Sequence, residues 1–126
     1  DGSHGVIVEL GANDALRGVD PAITRKALDG LLTRLKERGI AVLLAGMQAP
    51  RNLGPDYAAR FDAIYPELAA RHGVLLYPFF LEGVAADRSL NQADGIHPTA
   101  QGVDVIVRGI MPRVEELIRR IRARQT

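Results

Sequence analysis

Cysteine is absent from this chain of 126 residues, which excludes disulfides, cysteine-ligated zinc and a thiol nucleophile. Tryptophan is absent too, and serine is scarce, with only Ser3 and Ser89 present. An excess of one charge is also missing. Sixteen basic residues against fifteen acidic ones leave a formal net charge of +1, so charge gives no reason to expect a nucleic-acid partner. No apolar run approaches the ~20 residues of a membrane-spanning helix, and no signal peptide opens the chain. A signal peptide on a preceding segment would make the protein periplasmic or secreted, so the compartment stays open. The glycine-rich fingerprints G-x-G-x-x-G and G-x-x-x-x-G-K-[ST] do not occur, which ranks a nucleotide- or phosphate-binding domain last among the function classes.

What is present is ordinary for a soluble globular domain: 47% apolar and 25% charged residues, in a length that supports one core. The one charge asymmetry lies at the end, where Arg113, Arg119, Arg120, Arg122 and Arg124 outnumber Glu115 and Glu116. It reads as the solvated face of a terminal helix rather than a phosphate-binding tail.

Three short aliphatic runs, Val6–Leu10, Ile40–Leu44 and Val74–Tyr77, read as buried strands. Three helical patterns alternate with them. The first starts at Asp20-Pro21, as cap and first residue, carries Ile23, Ala27, Leu28, Leu31 and Leu35 on its inner face, and stops at Gly39. The second carries Tyr57, Phe61, Ile64, Tyr65 and Leu68, with Pro66 inside the pattern, where it should kink the helix, and Gly73 as its stop. The third, capped by Thr99, runs towards Arg124 with Val103, Ile106, Val107, Ile110, Val114, Leu117 and Ile121 facing inwards, and bends at Pro112. Gly11 to Asp20, Met47 to Pro55 and Pro78 to Ala93 read as loops. Strand–helix alternation predicts an α/β fold with a parallel sheet joined by right-handed crossovers. In such a sheet the loops after the first and third strands fall on one edge, beyond the strands' carboxyl ends, where functional groups gather.

Those two loops carry the chemistry. Asp94-Gly95-Ile96-His97-Pro98 sets a carboxylate three residues from an imidazole, a spacing that lets the Asp fix the ring's tautomer and leave Nε2 as a base. Gly11-Ala12-Asn13-Asp14 follows the first strand. Each alone is also an ordinary turn sequence. A metal role for Asp94, His97 and His72 is the weaker alternative, since His72 sits at a helix C-terminus that favours a cation in any case.

Taken together, Val8-Glu9-Leu10-Gly11-Ala12-Asn13-Asp14 with Leu16-Arg17-Gly18, Ala63-Ile64-Tyr65-Pro66, Pro78-Phe79-Phe80 and Asp94-Gly95-Ile96-His97-Pro98 resemble the SGNH (GDSL-type) serine hydrolases. The match is to the bacterial lysophospholipase, thioesterase and arylesterase branch and runs from Val6 almost to the C-terminus. The resemblance implies a three-layer α/β/α flavodoxin-like fold, here its last three strand–helix units, and hydrolysis of carboxylic esters or acyl thioesters without cofactor or metal. It implies that Asn13 donates its amide to the oxyanion hole, that His97 is the general base, and that Asp94 orients it. Asp14 reads as a loop organiser instead.

The family's Gly-Asp-Ser nucleophile motif, and the glycine that shares its oxyanion hole, have no counterpart in these residues. Ser3 stands on the wrong edge of the sheet, and Ser89 reads as an exposed turn. The expectation is therefore that these residues are the C-terminal part of one SGNH domain. An N-terminal companion polypeptide, or self-association through the exposed Val6–Leu10 strand edge, would complete the sheet. The alternative is a catalytically inactive α/β module acting only in assembly or binding. Phe79–Leu81 and Met47–Pro55 are the candidate walls of an acyl pocket, with core packing as the competing role.

Overall fold

The strands come out parallel because each is separated from the next by a helix long enough to return the chain to the sheet's starting edge. A computed structural model describes residues 4–85, 87–93 and 97–125. Its elements are β1 (Gly5–Val8), α1 (Ala12–Leu16), α2 (Pro21–Glu37), β2 (Ala41–Ala45), α3 (Pro55–His72), β3 (Leu75–Tyr77) and α4 (Ala100–Gln125). Single 3-10 turns lie at Arg51–Leu53 and Arg88–Leu90. The sheet order is β1-β2-β3, with Val6 opposite Val42 and Leu44 opposite Leu76.

β2 is buried along its whole length, and its alternation sorts the two cores. Val42 and Leu44 point to α2 and α3, joining Leu28, Leu32, Phe61, Ile64, Tyr65 and Leu68. Ala41, Leu43 and Ala45 point to α4 and meet Ile110 and Leu117. The result is the expected three-layer α/β/α arrangement.

The helix boundaries follow the expected chemistry. The Asp20 carboxylate accepts the Ala22 N–H at 3.0 Å, with Pro21 first in α2. The Thr99 hydroxyl accepts the Gly102 N–H at 3.1 Å at the head of α4. α3 continues through Pro66 and ends at Gly73, whose φ is 66°.

The inner faces of two helices differ from the expectation. On α2 the buried residues are Pro21, Thr24, Leu28 and Leu32, while Ile23 is 63% exposed. The stripe is rotated by about one residue because the Thr24 hydroxyl has a partner inside, the Asp14 carboxylate, so burying it costs little. On α4, Ile106, Ile110 and Leu117 face the sheet, and Val103 and Val107 are exposed. A three-stranded sheet is too narrow to cover the broad apolar stripe of this helix.

β1 pairs with β2 alone among the described residues, so the strand expected to form a sheet edge does so, with Ile7 46% exposed. Among these residues no helix is long and apolar enough to cross a membrane.

Candidate active site

The carboxyl edge of the sheet is built from three turns, and each is held by a contact that its own sequence does not announce. After β1 the chain turns at Gly11, whose φ of 110° is left-handed, and enters α1 instead of the expected loop. Asn13 and Asp14 lie in the first turn of this five-residue helix. Asn13 is exposed and makes no side-chain hydrogen bond within the described residues. Its amide is therefore available to something outside them. Asp14 is different: its carboxylate accepts the buried Thr24 hydroxyl at 2.8 Å, the loop-organising role expected of it.

Two tyrosines of α3 bracket this segment. The Tyr65 hydroxyl donates to the Leu10 carbonyl at 2.7 Å, immediately before Gly11. The Tyr57 hydroxyl donates to the Val19 carbonyl at 2.5 Å, just beyond Gly18. Between them Phe61 stacks on Tyr57 and meets Tyr65 edge-on, with centroids 6.2 and 5.8 Å apart. Burial, with the Glu9, Asp14 and Asp62 carboxylates adding to it, pushes the Tyr65 phenol far above its ordinary value, so it remains a donor. In the sequence both tyrosines read as members of an apolar stripe, and Tyr65 also as part of a family motif. Their hydroxyls, the part that holds the site, leave no periodic signal.

The turn after β2 is laced to the one after β3. The Gly46 N–H donates to the Tyr77 carbonyl at 2.7 Å, and the Phe80 N–H donates to the Gly46 carbonyl at 2.8 Å. A side chain at Gly46 would collide with the Pro78 carbonyl. Further along, Asp62 of α3 accepts the Ala49 N–H at 2.8 Å and pairs with Arg51 at 2.6 Å. Met47 and Ala49 are buried, and Phe80 and Leu81 pack against the core. Core packing thus engages Met47, Ala49, Phe80 and Leu81 of the two candidate pocket walls.

His97 lies on a small hairpin. Asn91 and Pro98 form an antiparallel bridge, and the His97 carbonyl accepts the Gln92 N–H at 2.7 Å. The Thr99 N–H donates to the Leu90 carbonyl at 2.9 Å, joining the hairpin to the start of α4. Asn91 anchors the hairpin base by donating to the Val84 and Asp87 carbonyls at 2.7 and 2.8 Å. The polar stretch around it gave no hint of this role. Asp94 lies outside the described residues, as does Ser3. Ser89 is exposed in its 3-10 turn, and its hydroxyl donates to Asp87 at 2.6 Å. No group of three or more metal-ligating side chains is found among the described residues. The structure therefore places Asn13 after β1 and His97 after β3.

Comparison with known proteins bears on the family and the fold. The family model described as GDSL-like lipase/acylhydrolase matches residues 2–105. Esterase TesA of Pseudomonas aeruginosa is 39% identical over 113 residues, covering 90% of this chain and 56% of that protein. Thioesterase 1/protease 1/lysophospholipase L1 of Escherichia coli is 38% identical over the same length, covering 90% and 54%. The crystal structure of AlinE4, an SGNH-hydrolase family esterase, superposes with a TM-score of 0.72 at 48% identity, covering 92% of this chain and 61% of that one. The chain thus spans about half the length of the curated relatives it matches. With the family model spanning most of its residues and the relatives agreeing in sequence and fold, this chain belongs to the GDSL-like lipase/acylhydrolase family, the SGNH hydrolases.

Proposed function

We propose that these residues are the C-terminal part of a serine esterase domain that hydrolyses carboxylic esters or acyl thioesters through an acyl-enzyme. The observation that carries this reading is the placement of Asn13 in α1, which follows β1, and of His97 in the segment that follows β3, on the same edge of one parallel sheet. In this reading His97 takes the proton of a serine hydroxyl as it attacks the acyl carbon, then returns it to the departing alkoxide or thiolate. Asp94 holds the imidazole in the tautomer that leaves Nε2 facing the serine and stabilises the imidazolium. Asn13 donates its amide to the oxyanion of the tetrahedral intermediate, an interaction worth about 10²–10³ in rate. Water then repeats the sequence on the acyl-enzyme.

The serine comes from outside these 126 residues, on a preceding segment or a companion polypeptide that also pairs with the open edge of β1. Ser89 is committed to Asp87, which supports looking elsewhere for the nucleophile. The relatives' names, esterase, thioesterase and lysophospholipase, support an acyl substrate with a variable leaving group.

Labelling the natural protein with a fluorophosphonate and mapping the adduct tests this. The adduct is expected on a serine other than Ser3 and Ser89. Asn13→Ala should lower kcat against a p-nitrophenyl ester by about 10²–10³, and His97→Ala by about 10³ or more. Ester hydrolysis that survives both substitutions would sink the proposal.

A further inference from the structure

At the amino edge of the sheet, opposite Asn13 and His97, a cavity of about 190 Å³ opens where α2, α3 and α4 end. Lys36 of α2, His72 of α3, and Arg120 and Arg124 of α4 line it, together with the backbone at Gly39 and Gly73. Among the described residues no carboxylate lines it, and Lys36, Arg120 and Arg124 form no ion pair. This differs from the opposite end of the molecule, where Arg25, Arg51 and Arg60 are matched by Glu67, Asp62 and Asp20.

Part of this positive charge has a structural use. Arg120 donates to the Gly73 carbonyl at 3.2 Å and Arg124 to the Gly39 carbonyl at 3.0 Å, each closing a helix C-terminus. Yet a guanidinium has five N–H donors, and each of these commits one nitrogen to that contact. The ends of α2, α3 and α4 contribute about half a negative charge apiece, against three full positive charges, so about one and a half remain uncompensated. His72 is already engaged, its Nε2 lying 2.6 Å from Asp29.

We infer that this cavity binds a phosphate group. Two guanidinium forks from one side and an ammonium from the other suit a tetrahedral, multiply charged oxyanion, which can accept from all three at once. Bound there, phosphate would fasten the end of α4 to the turns that lead into β2 and β3. The basic end of α4 is then more than a solvated face.

The test is an NMR titration of the ¹⁵N-labelled natural protein, with every segment that completes the sheet, using inorganic phosphate and, separately, phenyl phosphate, each against sodium chloride at equal ionic strength. Saturable shifts of the Gly39 and Gly73 amides are expected. Tighter binding of inorganic phosphate identifies the free ion as the ligand, and tighter or equal binding of phenyl phosphate a phosphomonoester. Lys36→Gln, which removes no hydrogen bond of the fold, should weaken binding about tenfold. Arg60→Gln, at the far edge, should leave it unchanged. Because phosphate also stabilises proteins by exclusion from their surface, a general rise in Tm would not count in favour. Shifts that chloride reproduces, absence of saturation with either phosphate, or equal binding by Lys36→Gln would overturn the assignment.

Discussion

Gly11 shows how much one position carries. Its φ of 110° is a conformation that side chains rarely adopt, and a Cβ there would run into the Tyr65 hydroxyl. Gly11→Ala therefore meets backbone strain and a steric conflict together. It should destabilise the chain by about 2 kcal/mol or more, read as a lower denaturant midpoint with unchanged slope. Thr24 illustrates the converse. A threonine at the centre of a buried face looks wrong by hydropathy and is right once Asp14 is seen to accept its hydroxyl. Sequence periodicity put Ile23 inside for want of that partner. Asn13 and His97 were legible because their neighbours form recognisable motifs. The hydrogen bonds that Tyr57 and Tyr65 make were not, because a bond to a distant carbonyl depends on the tertiary fold and leaves no local pattern.

Among the elements, α3 has the widest reach. One face fills the core with Phe61, Ile64 and Leu68, while its two phenols tie down both ends of the α1 segment. Tyr65→Phe keeps the ring and removes the hydrogen bond, leaving the Leu10 carbonyl short of a partner. The expected loss is about 1 kcal/mol of stability. If the Asn13 amide is aimed as proposed, the assembled enzyme should also lose kcat with little change in KM, because a displaced oxyanion donor is felt in the transition state. A change in KM alone would assign Tyr65 to substrate binding instead. α4 has a comparable link at its head, where a side chain at Gly102 would strike the Leu90 carbonyl and displace the hairpin that carries His97. The strand–helix order, the caps and the breaks were readable because each depends on local chemistry. Which face of α4 is covered depends on sheet width, which no window of sequence contains.

At the scale of the whole molecule, the helices begin at the edge that carries Asn13 and His97 and end at the edge that collects cations. One acid holds that second edge together. Asp29 of α2 meets His72 and Arg71 of α3 at 2.6 and 3.7 Å. The His72 hydrogen bond holds its carboxyl below the usual range against the opposing effect of burial, with the Arg71 and Arg25 charges assisting. A depressed carboxyl stabilises the fold fully above its unfolded pKa of about 3.9, and that contribution disappears as pH falls through the lower folded value. The stability gap between the wild type and Asp29→Asn should accordingly shrink as pH falls below about 4, measured by urea unfolding across that range. A gap that widened on acidification would contradict the pairing.

The bracket that α3 places around α1 also bears on recombination. Asn13 owes its position less to the residues beside it than to two phenols 38 and 55 residues further from the carbonyls they hold. A graft that transfers only the β1–α1 stretch into a related hydrolase would deliver the amide without its alignment. A crossover placed after α3 would inherit both together.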